Sequence, residues 1–299
     1  MRRALVLGGG GPVGLAWEAG LLSGLGRGGA DLANADKVIG TSAGAAVGYL
    51  LASGADLSGV LSLVAPPSGA QSPQSAANAA DPMEELIAVM AESALHPQDA
   101  ARLRAQLGSR AVAAHTMSEA SWLERFQAFA GAAWPPGFAC TTVDTADGAF
   151  QVWDQSCGIG LDRALASSCA VPVVFPPVTI KGRRWMDGGV RDFLNADIAT
   201  GHDVVLAVSC VLLENPGEFA RPGMNAVMGA TRDRLDALRA GGIKVEAVVP
   251  NEEMLQLSGS GIHLMDYSRA AAAYGVGECQ GEAAASELRA FWHHPAEPE

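Results

Sequence analysis

Ser42 stands at the centre of Gly40-Thr41-Ser42-Ala43-Gly44, a G-x-S-x-G pentapeptide preceded by β-branched Val38 and Ile39 and followed by a small-residue helical run, Ala45 to Ala52. A nucleophile elbow needs strand, sharp turn and helix in that order: the turn lifts the serine Oγ clear of the sheet, and the helix aims its first N–H groups and positive dipole end at it. Glycines on both flanks suit the turn, since a Cβ there would meet neighbouring backbone. Taken alone, the pentapeptide also fits a Gly/Ser turn in an alanine- and glycine-rich chain, so its chemistry depends on its company. Two other stretches could supply that company. Gly8-Gly9-Gly10-Gly11-Pro12-Val13-Gly14 opens onto a helix start and presents unpaired N–H groups to an anion or oxyanion. Asp187-Gly188-Gly189 holds an acid on a glycine-supported turn, either as a pocket carboxylate or as an ordinary Asp-Gly turn residue.

Gly9-x-Gly11-x-x-Gly14 also matches the dinucleotide fingerprint. That reading wants an acid at the end of the second strand to hold a ribose. Here the candidate strand, Lys37 to Ile39, runs straight into Gly40-Thr41-Ser42, and Asp31 and Asp36 lie before it. The glycine loop therefore fits a partner of Ser42 better than a nucleotide cradle.

The elements that must position these groups read as βα units. Ala4 to Leu7 is an all-apolar run suited to a buried central strand of a parallel sheet. Leu15, Leu22 and Leu25 recur at helical spacing after the glycine loop. Pro66 to Ala80 is a surface loop or the entrance to an insertion, and Asp81-Pro82-Met83-Glu84 starts a helix with a cap, a first-position proline and a glutamate. Ser121-Trp122-Leu123-Glu124 repeats the capping logic, with Trp122, Phe126 and Phe129 on one helix face as a packed stripe or a lipid-facing lid. Phe138 to Val143 and Phe150 to Trp153 predict a hairpin at the sheet's edge. Leu161 to Ser168 predicts a short helix stopped by Pro172, and Val178 to Lys181, Asp203 to Val211 and Ile243 to Val249 predict further strands. Arg232 to Arg239 is a charged helix, Met254 to Gly281 helix and loop, and Glu282 to Trp292 a last helix. With no domain-scale linker and no repeat, the expected fold is α/β: one three-layer α/β/α domain over residues 1–292 with a mainly parallel central sheet. Within it, 66–135 forms a helical insertion or lid-like region, and 293–299 forms a flexible tail.

Composition bounds the function. A chain of 299 residues, 49% hydrophobic and 17% charged, has ample material for a core. A formal net charge of −12 argues against a nucleic-acid partner, because a phosphate backbone would be repelled. Five cysteines without a C-x-x-C pair suggest neither a disulfide framework nor a zinc site, so reduced thiols and a cytoplasmic location are expected. The apolar start resembles a secretory signal, but Gly8 to Pro12 and Glu18 interrupt it, and it reads as the first strand. No apolar run reaches the length of a spanning helix.

Taken jointly, these stretches resemble the patatin-like phospholipase family. The match lies in Gly9-Gly10-Gly11-Pro12-Val13-Gly14, in Gly40-Thr41-Ser42-Ala43-Gly44, in Asp187-Gly188-Gly189, and in Ser168 to Val178 ahead of the aspartate. The resemblance implies hydrolysis of lipid or lysolipid acyl esters by a Ser42–Asp187 dyad, with transient membrane-surface contact and without metal or cofactor. In such a dyad Ser42 attacks the carbonyl, Asp187 takes the proton and later activates water, and the oxyanion rests on the N–H groups of Gly10 and Gly11. Where the family usually carries Arg or Lys, this chain has Val13, and Val13→Arg is expected to leave the fold intact and to raise activity through added positive field. Two alternatives stand beside this reading. One is a lipid-binding or scaffold protein of the same fold with little turnover, favoured by Val13. The other is a Ser-Asp-His α/β-hydrolase using His263 of Gly261-Ile262-His263, although Ser42 comes early for that fold. His202 precedes a strand, at the wrong end for catalysis, and His96, His115, His293 and His294 fall in helical or terminal segments.

Overall fold

A computed structural model describes residues 1–63, 82–214 and 221–293. In chain order it contains β1 (Arg3–Leu7), α1 (Gly11–Arg27), β2 (Lys37–Gly40), α2 (Ala43–Ala52), α3 (Val60–Leu63), α4 (Pro82–Leu95), α5 (Ala100–Ala113), α6 (Glu119–Glu124), β3 (Phe138–Asp144) and β4 (Phe150–Asp154). There follow α7 (Leu161–Ser168), β5 (Val178–Ile180), β6 (Arg183–Asp187), β7 (Val204–Val208), α8 (Met224–Ala240), β8 (Lys244–Val248), α9 (Glu252–Ser258) and α10 (Ala270–His293).

The strands form one eight-stranded sheet in the order β5-β6-β3-β2-β1-β7-β8, with β4 paired to β3 off that path. β1 lies between β2 and β7, parallel to both. Its side chains alternate between two cores: Leu5 and Leu7 face one and Ala4 and Val6 the other. A strand apolar on both sides requires cover on both faces, which explains its unbroken apolar run. One face carries α1, α2, α6, α7 and α10, with Trp17, Trp122, Leu165 and Trp292 in its core. The other carries α4, α5 and α8, with Ile87, Leu107 and Leu235. This is the expected three-layer α/β/α arrangement. The stretch 66–135 contributes, in its described part, α4 and α5 to one face and α6 to the opposite one.

The hairpin does not simply edge the sheet. Ala139 and Cys140 of β3 pair with both β2 and β4, and Thr142 and Val143 pair with both β4 and β6. A strand has two edges, so β2 and β6 share one of them, and β6 takes over where β2 ends in the elbow. The antiparallel β6 thus delivers its last residue, Asp187, opposite Thr142 and directly beyond the end of β2. Sequence periodicity carries no signal for this handover.

Four local expectations need correction. The last helix begins at Ala270 rather than Glu282. Its glycines, which read as loop, instead permit close contact between helices: a Cβ at Gly277 or Gly281 would meet the backbone of Trp17 or Leu21 in α1, and one at Gly20 or Gly24 the backbone of Tyr274 or Glu278 in α10. The cap of α6 is Ser118, whose Oγ accepts the Ser121 N–H at 3.1 Å, not Ser121. That helix stops at Glu124, so Trp122, Phe126 and Phe129 do not share one helix face; a turn and a 3-10 segment bring the two phenylalanines round to the same buried cluster. The helix after β7 starts at Met224, well before Arg232. The expected loop or insertion entrance at Pro66 to Ala80, the expected cap at Asp81 and all of the expected tail 293–299 but His293 lie outside the described residues, and His293 is the last residue of α10.

Candidate active site

Ser42 joins β2 to α2 with φ 54° and ψ −118°, backbone that an L-residue adopts only under strain. Hydrogen bonds on both sides hold it there. Thr41 N–H donates to Leu7 O at 3.0 Å, and Gly44 N–H to Gly8 O at 3.0 Å. The Ser42 N–H donates to Ser168 Oγ at 3.0 Å, and the Cys169 thiol donates to Ser42 O at 3.2 Å. Gly44 is required because a Cβ there would stand on the Leu7 carbonyl. The Ser42 hydroxyl makes no capping bond to α2, although serine at a helix start usually does, so its Oγ remains available for chemistry.

Asp187 is 3% exposed. Its N–H donates to Ala170 O at 2.9 Å, and its Oδ1 accepts the Gly189 N–H at 2.7 Å. Oδ2 is buried without a hydrogen bond of good geometry, and the Ser42 hydroxyl beside the carboxylate favours its ionised form. Burial outweighs that hydroxyl and the Gly189 N–H and pushes the carboxyl up to about 7. A carboxyl titrating near neutrality is a far better proton acceptor for a serine than an exposed aspartate. Asp187 is thus a buried acid at a strand end rather than a hairpin-turn residue.

Most N–H groups of the glycine loop are spent on architecture. Gly8 N–H donates to Val208 O and to Glu18 Oε1, Gly9 N–H to Phe193 O at 2.8 Å, and Gly14 N–H to Gly10 O at 2.8 Å. The N–H groups of Gly10 and Gly11, and that of Ala43 at the start of α2, donate to no acceptor among the described residues. Gly11 has φ +57°, and a Cβ at Gly10 would strike Cys210 and the backbone of Gly14, so the loop admits no side chain at either position. Beneath it lies Glu18, fully buried, whose pKa is raised well above the ordinary value by burial against the Gly8 N–H and Cys210 contacts that oppose it.

A second layer ties nucleophile to acid. Asn195, held at φ 53°, donates through Nδ2 to Thr41 Oγ1 at 3.1 Å and to Gly188 O at 3.2 Å, the residues flanking Ser42 and Asp187. Asp192 fixes that turn: one oxygen accepts the Leu194 and Asn195 N–H groups at 2.8 and 2.7 Å, and the other accepts from Thr231 and Arg234 at 2.8 and 2.9 Å. Asn195, Asp192 and Glu18 are not singled out by the sequence, because an isolated polar residue in an apolar stretch does not show which backbone groups it will meet.

Ser42 sits where two clefts meet. One, of about 630 Å³, is lined by Trp122, Phe126, Phe129, Phe175 and Tyr267. The other, of about 920 Å³, contains Asp187, Gly189 and Gly10. Among the described residues no histidine lines either cleft, and His263 is exposed. Nor, among the described residues, does any group of three His, Cys, Asp or Glu side chains come together as metal ligands. No described helix is long and apolar enough to cross a membrane.

Val13 is fully buried in the core between α1 and its neighbours, and its N–H donates to Leu264 O at 3.1 Å. The expectation for Val13→Arg is therefore reversed. A guanidinium there would be buried without a partner, at a cost of about 3–5 kcal/mol. Val13→Arg should lower the melting temperature by about 10 °C in a calorimetric scan, with no gain in esterase activity.

A family model described as patatin-like phospholipase matches residues 5–200. Among solved structures, VipD from Legionella pneumophila is similar over 97% of this chain and 67% of that one, at 14% identity and a TM-score of 0.45. The type III effector protein ExoU is similar over 94% of this chain and 53% of that one, at 19% identity and a TM-score of 0.35. The chain thus spans about two thirds of the first protein and about half of the second. No curated protein matches the sequence.

Proposed function

The chain belongs to the patatin-like phospholipase family, and from that premise we propose that it hydrolyses lipid acyl esters with Ser42 as nucleophile and Asp187 as general base. The observation that carries the proposal is the meeting, in one cleft, of a strained and uncapped serine, a buried carboxyl pushed up to about 7, and free N–H donors from the glycine loop. Ser42 Oγ adds to the ester carbonyl as Asp187 takes its proton. The carbonyl oxygen becomes an oxyanion against the N–H groups of Gly10 and Gly11, each worth about 2.7 to 4 kcal/mol in such a site. Asp187 then returns the proton to the departing alkoxide, takes another from the incoming water, and finally returns that one to Ser42. Ser168 and Cys169, through their bonds to the Ser42 backbone, and Asn195, through Thr41 and Gly188, hold the groups in place. A cytoplasmic location accords with five free cysteines.

A fluorophosphonate ester should label Ser42 covalently, as mapped by peptide mass spectrometry, and the protein should hydrolyse short p-nitrophenyl esters. Both should vanish in Ser42→Ala. His263→Ala should keep kcat/KM within about twofold, because that residue lines neither cleft. An adduct at another serine, or a folded but inactive His263→Ala, would overturn the dyad; a wild-type protein inert toward every ester would point to the lipid-binding reading.

A further inference from the structure

We infer that the two clefts meeting at Ser42 divide the ester between them, the aromatic cleft taking the acyl chain and the cleft on the Asp187 side taking the alcohol, so that the substrates are lipids with an apolar arm on each side of the ester. The inference rests on the hydrolase reading above. It follows from where the proton must go. In the tetrahedral intermediate the former carbonyl carbon carries four groups: Ser42 Oγ, the oxyanion, the acyl chain and the alkoxy oxygen. The oxyanion turns to the glycine-loop donors. When the C–O bond to the alcohol breaks, the electron pair leaves with the alkoxy oxygen, which takes the proton that Asp187 received from Ser42. The alkoxy oxygen must therefore lie on the Asp187 side. Asp187 and Gly189 line the larger cleft and not the aromatic one. The acyl chain is left the remaining direction, along α2 past Ala46 toward Trp122 and Phe129.

The larger cleft says what alcohol it takes. Among the described residues, its lining apart from Ser42, Asp187 and Arg221 is glycine and apolar side chains, including Leu86, Ile87, Phe193, Val211 and Met224. A small polar alcohol would leave those side chains facing water, whereas an alcohol bearing its own hydrocarbon arm covers them. The same geometry orders the reaction. Water attacks the acyl-serine from the side of its base, through the space the alcohol has vacated, so the alcohol product departs before deacylation.

Two ester series read the two arms separately. In p-nitrophenyl esters from acetate to laurate the acyl chain varies; in butyrates of alcohols from ethanol to dodecanol the leaving group varies. Wild type should prefer dodecyl butyrate to ethyl butyrate by about tenfold or more in kcat/KM. Ala46→Leu, in the aromatic cleft, should lower the laurate-to-acetate ratio by about tenfold, and Val211→Phe, in the larger cleft, should lower the dodecyl-to-ethyl ratio similarly. Each should shift the other ratio by less than about threefold. Should either variant fail to fold, a measurement on wild type decides, with Trp122→Phe serving only as its spectral reference: a p-nitrophenyl phosphonate bearing a bromine-terminated dodecyl chain on phosphorus loses p-nitrophenolate to Ser42 and keeps the chain in the acyl position. That adduct should quench the emission that wild type shows and Trp122→Phe lacks, since Trp122 lines the acyl cleft and no tryptophan lines the other. Swapped ratios, or an adduct that leaves Trp122 emission intact, would overturn the assignment of arms while Ser42-dependent turnover stands. Absence of Ser42-dependent turnover on every ester would overturn the hydrolase reading and this inference with it.

Discussion

Asp187→Asn is expected to cut kcat/KM on a short-chain ester by about two to four orders of magnitude while leaving the fold in place. The asparagine Oδ1 can still accept the Gly189 N–H, so the turn retains its hydrogen bond, but the side chain can no longer take a proton from Ser42. Wild-type activity should also carry the titration of this carboxyl. With Asp187 pushed up to about 7, kcat/KM should fall about tenfold per pH unit below 7 and level off above it. The residual rate of Asp187→Asn should lack that limb. A variant that keeps the wild-type slope would assign the titrating base to another group.

Stability should move the opposite way. The aspartate has an ordinary value of 3.8 when unfolded and about 7 when folded, so between those limits the folded chain holds a proton that the unfolded chain has released. Folding is therefore favoured by this group at pH 3.8 and below, and the contribution is lost as pH rises through 7. Asparagine cannot ionise, so Asp187→Asn escapes that loss. Its stability relative to wild type should rise between pH 4 and pH 8 by a few kcal/mol, at about 1.4 kcal/mol per pH unit. Glu18, also raised by burial, is common to both proteins and drops out of the difference. Denaturant unfolding at the two pH values measures it, and a constant difference would mean that Asp187 is already ionised in the folded chain at low pH.

What the sequence made legible was local. The elbow and the glycine loop are contiguous, and each residue type there answers a backbone demand: Gly44 must pass Leu7 O, and Gly11 must turn at positive φ. β1 was legible because a strand buried on both faces must be apolar throughout. Long-range arrangements left no such trace. That β6 replaces β2 beside β3 is a matter of pairing across the chain, and nothing in Arg184-Trp185-Met186 announces it. The glycines of α10 argued for loop because helix propensity alone penalises them, whereas packing against α1 selects them. Val13 shows the reverse error. Its family position suggested a site for charge, but its α1 neighbours make it core. Asn195 meets Thr41 and Gly188 only after the chain has folded, so its role was invisible until the two turns stood side by side.

The strain at Ser42 gives a prediction in which loss of function and gain of stability separate. At φ 54° and ψ −118° a side chain costs on the order of 1–3 kcal/mol, and glycine bears little of that cost. Ser42→Ala and Ser42→Gly both remove the nucleophile, and turnover should fall by about 10⁶-fold toward background in each. Their stabilities should differ. Alanine keeps the Cβ and hence the strain, whereas glycine relieves it, at the expense of about 0.4–1 kcal/mol in chain entropy on folding. At an unstrained position alanine would be the more stable of the two; here Ser42→Gly should exceed Ser42→Ala by about 1 kcal/mol, and should match or exceed wild type. The bonds from Ser42 N–H to Ser168 and from Cys169 to Ser42 O involve backbone atoms that both variants retain, so they do not bias the comparison. Urea unfolding of the three proteins in parallel decides it. If Ser42→Ala proves as stable as Ser42→Gly, the elbow relaxes in solution, and the serine is not held by its strand and helix in the conformation that exposes its hydroxyl to both clefts.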